Sequence, residues 1–180
     1  PLVGSNLVDN ICKKFGLKLY ETPVGFKYIS ELMIKEDILV GGEEAGGMGF
    51  KDYIPERDGS LAGLLLLEMM VYRKKPMLDI LKDMEKEFGR YYYLRTELKL
   101  QNLEGTDISP LKATKTILGK KVVKADDSDG LKFILEDSSW LMLRVSGTEP
   151  IIRIYAESKS EAVSAKLIDF GKKLFLKNVV

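Results

Sequence analysis

The chain has 180 residues, 45% hydrophobic and 31% charged, and its 28 Lys and Arg nearly balance 27 Asp and Glu. This is the composition of an ordinary globular protein of one or two domains, and a net charge of +1 gives no electrostatic basis for gripping nucleic acid or an acidic membrane, so any basic site has to be local. The absence of histidine excludes imidazole catalysis and ligation, and a lone cysteine, Cys12, excludes an internal disulfide.

Nothing at the start resembles a secretion signal, which makes a reducing, cytoplasmic compartment the expectation; a chain opening on Pro1 is expected to be a cleaved or truncated piece. Ser5 is placed to cap a helix whose stripe is Leu7, Val8, Ile11, Cys12 and Phe15, with Gly16 to end it. A short strand, Leu17 to Tyr20, should follow, then the turn Thr22-Pro23-Val24-Gly25 and a helix to about Lys35. Asp37 to Val40 reads as a buried strand ending at Gly41-Gly42, and Met48 to Ile54 as an edge strand. Asp58 suits the cap of an apolar helix from Leu61 to about Tyr72, a run broken by Gly63 and Glu68 and far short of the roughly 20 residues that cross a membrane. Pro76 suits the first turn of a further helix with Leu78, Leu81 and Phe88 on one stripe and Gly89 as its stop. The alternation of strand and helix is the α/β pattern.

A boundary is expected near residue 92. Tyr91 to Leu94 and Glu97 to Leu100 read as a strand entering a second domain, and Asn102 to Pro110 as polar loop. Strands joined by tight turns follow at Lys121 to Ala125, Leu131 to Leu135, Trp140 to Val145 and Ile151 to Glu157. Asp129-Gly130 and Asp137-Ser138-Ser139 are the hairpin signals between the first three. The acidic cluster Asp126 to Gly130 lacks the alternating spacing and distal Glu of a calcium loop and reads as a turn. Ser160 should cap a last helix carrying Val163, Leu167, Phe170 and Leu174 against the sheet, which makes an α+β unit, an antiparallel sheet with helices on one face.

Between the last two strands lies Arg144-Val-Ser-Gly-Thr-Glu-Pro150. Ser146, Gly147 and Thr148 can turn backbone N–H groups and two hydroxyls into one concavity that suits an anion. Arg144 brings a planar charged fork that matches phosphate, and Arg153 can approach from the neighbouring strand. Glu149 should then point away from the anion and hold the loop's shape. The plainer reading is a hairpin loop punctuated by Gly and Pro. In Gly41-Gly-Glu-Glu-Ala-Gly-Gly47 a carboxylate can accept hydrogen bonds from vicinal hydroxyls; the alternative there is a glycine turn with two solvated acids.

Arg144 to Pro150, followed by Arg153-Ile-Tyr155, resembles the phosphate-binding loop in the last domain of the α-D-phosphohexomutases, the phosphoglucomutase and phosphomannomutase family. Gly42-Glu-Glu-Ala-Gly-Gly47 resembles that family's sugar-binding loop, and Pro23-Val-Gly-Phe-Lys27 resembles a third segment of the same active site. The resemblance covers nearly the whole chain but only the family's C-terminal half. It implies an N-terminally incomplete, three-layer αβα-type sugar-binding domain over residues 1–91, followed by a TATA-binding-protein-like α+β domain over residues 92–180 that binds phosphate. An incomplete sheet implies exposed apolar surface and hence self-association.

The resemblance further implies an isomerase that interconverts hexose 1-phosphate and hexose 6-phosphate through a phosphoserine, a hexose bisphosphate intermediate and Mg2+. The family's Ser-His-Asn serine loop and its Asp-rich magnesium loop are not in this sequence. The chain alone is therefore expected to be inactive and to partner the missing N-terminal domains. Its share would be to hold the phosphosugar: Lys27 and Glu43 at the sugar, and Arg144, Ser146, Gly147, Thr148 and Arg153 at the phosphate that does not move. Ala45 stands where the family usually has a Ser, which removes one hydroxyl contact. A competing reading is a noncatalytic module for single-stranded nucleic acid or another anion, in which Arg90, Tyr91, Tyr92, Tyr93 and Arg95 form a stacking platform. The neutral net charge argues against it.

Overall fold

The computed structural model describes residues 1–101, 106–147 and 149–178, in two compact units, Pro1–Arg90 and Tyr91–Val180. Each unit is built around its own packing.

In the first unit, helix α1 spans Asn6–Phe15. The Ser5 side chain accepts from the Leu7 N–H, and Gly16 closes the helix in the left-handed conformation, as residues of those types do at those positions. Helix α2 is Phe26–Lys35, α3 is Gly59–Arg73 and α4 is Met77–Phe88. Asp58 caps α3 by accepting from Leu61 N at 2.9 Å, while Pro76 sits at the N-cap of α4 rather than inside its first turn. Gly89 ends α4 with a positive φ of 83°.

The strands depart from the sequence expectation. Leu17 to Tyr20 joins no sheet. The segment expected as a buried strand at Asp37 to Val40 becomes β1 only at Val40–Gly42, which pairs antiparallel with β2, Met48–Phe50. Leu39 and Val40 are exposed. What anchors this hairpin is glycine: Gly41 and Gly49 are directly opposed, and both lie against α2. A Cβ on Gly41 would stand 2.3 Å from Ile29 Cγ2, and one on Gly49 would stand 3.0 Å from the Phe26 ring. The cross-strand glycine pair thus leaves the space that Phe26 and Ile29 fill, and those two are buried there. Along α3 only Ala62 is buried, and Leu64, Val71 and Tyr72 stay largely exposed.

The second unit is a six-stranded antiparallel sheet, ordered β3-β8-β7-β6-β5-β4, with β3 at Tyr92–Lys99, β4 at Thr116–Ile117, β5 at Lys120–Asp126, β6 at Leu131–Leu135, β7 at Trp140–Val145 and β8 at Ile151–Ser158. The strand ends of β6 and β7 agree with the sequence reading; β4 and a 3-10 turn at Ser109–Ala113 were not legible. Of the expected polar loop, residues 102–105 lie outside the described residues.

Helix α5, Glu161–Asn178, packs on one face of the sheet. The face it covers carries Leu131, Phe133, Leu135, Leu141, Leu143, Ile152, Ile154 and Ala156, all buried and all at alternate strand positions. From α5 come Leu167, Ile168 and Phe175, with Val163, Phe170 and Leu174 at the margin, so the buried stripe is rotated from the expected one. Gly171 is the reason. A Cβ there would meet Ile154 Cγ2 at 2.9 Å and Leu141 Cδ1 at 3.0 Å, so the helix backbone approaches the sheet closely along that line. At the helix entrance the buried Ser164 hydroxyl donates to the Tyr92 carbonyl at 2.6 Å, tying α5 to β3.

Candidate functional site

On the sheet face opposite α5, β-sheet register assembles a row of charges. Glu97 of β3 is directly opposite Arg153 of β8, and Arg153 is directly opposite Arg144 of β7. Directly opposed residues share a face, and two like charges so placed repel unless something between or beside them compensates. Carboxylates flank the pair on both sides. Arg144 Nε donates to Asp129 Oδ1 at 3.0 Å, with both side chains about four-fifths buried, and Arg153 Nε donates to Glu97 Oε1 at 3.2 Å. Glu97 Oε1 also accepts from Arg95 Nη2 at 2.7 Å, and these two guanidinium groups, Arg95 first, hold its carboxyl below the usual carboxylate range. Glu97 therefore stays ionised at neutral pH, and the arginine pair keeps a carboxylate on each side.

The loop between β7 and β8 sits at the end of this row. Ser146 is buried; its N–H donates to Ile151 O at 3.0 Å and its Oγ accepts from Glu149 N at 3.3 Å. The hydroxyl thus closes the loop from inside, where the sequence suggested a ligand contact alone. Glu149 turns to Arg153, whose Nη2 donates to its Oε2 at 3.2 Å. Gly147 has open space around the position a Cβ would take and no positive φ. Among the described residues nothing crowds that position, so the backbone at Gly147 is open to close approach. Thr148 lies outside the described residues. Three arginines, 95, 144 and 153, face three carboxylates, 97, 129 and 149, so the local charge sums to zero. Net charge therefore gives this row no preference for an anion.

The turn before β6 completes this arrangement. Asp126 Oδ1 accepts from both the N–H and the Oγ of Ser128, at 3.1 and 2.6 Å, and so closes the turn. The Lys124 ammonium first, then Ser128, hold the Asp126 carboxyl far below the usual range. Its contribution to stability is therefore present above its unfolded pKa of about 4 and lost only as the pH falls through the depressed value in the fold.

In the first unit, Glu43 to Gly47 form the tip of the β1–β2 hairpin rather than a loop beyond a buried strand. Glu43 N donates to Gly47 O at 2.9 Å and Gly46 N to Glu43 O at 3.0 Å. The Glu43 side chain is only 10% exposed, and its Oε2 accepts from Arg57 Nη1 at 3.1 Å. Arg57 also lies 5.4 Å from the Phe26 ring centroid, and Gly47 leaves the room it needs, since a Cβ there would meet Arg57 Cδ at 2.5 Å. Sequence spacing does not single out this clamp, because Glu43 and Arg57 lie fourteen positions apart. Ala45 is exposed at the tip, and Lys27 is exposed in the first turn of α2 with its Nζ 4.8 Å from the Tyr28 ring centroid.

The tyrosine run does not make one platform. Tyr92 and Tyr93 alternate between the two sheet faces, Tyr93 packs 6.0 Å edge-on to Trp140, and Lys159 covers the Tyr91 ring at 3.2 Å. Arg90 is paired with Glu85. Among the described residues no three Cys, Asp or Glu side chains converge as a metal ion requires, and no helix is long and apolar enough to cross a membrane.

Residues 1–88 match the family model for phosphoglucomutase/phosphomannomutase, alpha/beta/alpha domain III, and residues 100–170 match the model for the C-terminal domain of the same proteins. The chain is 34% identical to a phosphoglucomutase/phosphomannomutase of Thermococcus kodakarensis over 96% of its own length and 36% of that protein. It is 30% identical to human phosphoglucomutase-1, covering 89% of this chain and 34% of that one. The crystal structure of a putative phosphomannomutase from Thermus thermophilus superposes with a TM-score of 0.77 at 31% identity, over 96% of this chain and 34% of that one. The chain thus spans about a third of the length of the curated relatives it matches.

Proposed function

The chain belongs to the phosphoglucomutase/phosphomannomutase family, and from that membership we propose that it is the substrate-holding part of a phosphohexomutase, which moves a phosphoryl group between the 1- and 6-positions of a hexose. The observation that supports this most is the directly opposed pair Arg144 and Arg153 beside an open glycine loop. Arg144 uses Nε for Asp129, which keeps its two terminal nitrogens as a fork for two phosphate oxygens. Backbone N–H groups around Gly147 and the Thr148 hydroxyl add donors without charge. The phosphate held there is the one that does not move, and fixing it orients the opposite end of the hexose.

Glu43 reads the sugar. Arg57 takes one of its carboxylate oxygens, and the other accepts from sugar hydroxyls. Lys27 contacts the phosphosugar, and Ala45 contributes no hydroxyl. Magnesium, which the family resemblance implies, would neutralise phosphoryl charge when bound; the described residues gather no three carboxylates that would hold it.

Glu43→Gln in the full-length enzyme is expected to lower kcat/KM about ten- to a hundredfold and to change the ratio between glucose and mannose phosphates, because a charged acceptor becomes a neutral one. Steady-state kinetics with both substrates tests this. Unchanged efficiency for each would remove Glu43 from the sugar site.

A further inference from the structure

We propose that Asp129 is a positioning residue for Arg144: it sets the guanidinium so that its terminal nitrogens present a fork to phosphate. The inference rests on the phosphate-binding reading of this loop. By sequence Asp129-Gly130 is merely a hairpin signal, and an Asp in a turn usually serves the turn itself. Here Asp126 takes both Ser128 donors and so closes the turn on its side. The Asp129 Oδ1 accepts from Arg144 Nε at 3.0 Å, with the side chains 18% and 19% exposed.

Two further features fit positioning rather than chance pairing. Gly130, with φ of 87°, presses the turn onto β7: a Cβ at 130 would stand 2.6 Å from Leu143 O and 3.1 Å from Arg144 Cα. The turn that carries Asp129 is therefore seated on the backbone of the residue it would orient. The second is the choice of donor. A carboxylate on the Nη pair would occupy the fork itself, whereas one on Nε fixes the plane of the guanidinium and spares its end. Arg153 lacks this economy, because Glu97 takes its Nε and Glu149 its Nη2. Arg144 is thus the arginine set for a guest, and Asp129 is what sets it.

The sign of one substitution separates positioning from bare electrostatics. Asp129 is a negative charge close to an anion site, so by Coulomb's law alone its removal should tighten phosphate binding. Positioning demands the reverse. With the 180-residue chain and inorganic phosphate at fixed ionic strength, followed through the arginine Nε–H resonances in a proton–nitrogen NMR spectrum, Asp129→Ala is expected to weaken binding by about tenfold, the low end of what loss of an orienting partner costs at a metal ligand. Asp129→Asn keeps an acceptor in the same shape and should restore part of the loss; it also carries the test should alanine disturb the turn. In an Arg144→Ala background there is no guanidinium to orient, so Asp129→Asn should no longer weaken binding and should tighten it by removing an unpartnered negative charge. Equal or tighter binding by both Asp129 variants, or the same loss with and without Arg144, overturns the inference. If the unmodified chain shows no saturable phosphate binding, the phosphate reading itself fails, and this inference with it.

Discussion

Arg144→Ala in the full-length enzyme is expected to lower kcat/KM by about 10²- to 10³-fold, the range seen when one member of a buried, hydrogen-bonded charge pair is truncated. Two effects add. The fork that binds phosphate is lost, and the Asp129 carboxylate, 18% exposed, is left beside the phosphate without its partner. Arg144→Lys should fall between, because an ammonium keeps the charge but cannot offer two parallel donors while also serving Asp129. If alanine and lysine lose equally little, within about threefold of the parent, Arg144 is not the phosphate's principal contact.

Gly130→Ala should be the most damaging single methyl in the second unit, and Gly147→Ala among the least. At Gly130 the backbone is in the left-handed region and the added carbon meets main-chain atoms of Leu143 and Arg144, which cannot step aside as a side chain could. A cost of about 2–4 kcal/mol is expected from the conformational strain and the clash together. Gly147 has neither constraint, so alanine there should change stability by less than about 0.5 kcal/mol. Urea denaturation followed by the fluorescence of Trp140, the chain's one tryptophan, reads both. Similar midpoints for the two variants would contradict the close seating of the turn on β7. Phosphate affinity lost by Gly147→Ala at full stability would then report on the cradle alone.

Local signals in the sequence located what local physics determines. Ser5, Gly16, Asp58 and Gly89 bound their helices, and apolar runs between the turn signals Asp129-Gly130 and Asp137-Ser138-Ser139 placed β6 and β7 at their observed ends. Leu17 to Tyr20 has strand composition yet joins no sheet, because a strand is defined by its neighbour and composition cannot supply one. The stretch before Gly41 failed for a related reason: Leu39 and Val40 are exposed, and pairing begins only at Val40, opposite Phe50. The loop residues of the candidate site were legible as motifs, whereas the residues that hold them were not. Asp129 and Arg144 lie fifteen positions apart, and Glu43 and Arg57 fourteen, separations at which neither helical nor strand periodicity speaks. Register could have found the first pair. The hairpin turn at Asp137 to Ser139 sets Leu131 opposite Leu143, which brings Asp129 and Gly130 to the level of Arg144.

The most direct test is a titration of the 180-residue chain with inorganic phosphate at constant ionic strength, followed through its backbone amides. Oriented donors without net charge, in a site open to solvent, should give a dissociation constant on the order of millimolar. The predicted result is saturable shifts confined to the amides of Val145 to Glu149, absent when an equal concentration of chloride replaces phosphate. Shifts spread over lysine-rich surfaces such as Lys120 and Lys121, or no saturable shift in those loop amides up to tens of millimolar, would leave Arg144 to Pro150 as an ordinary hairpin connection.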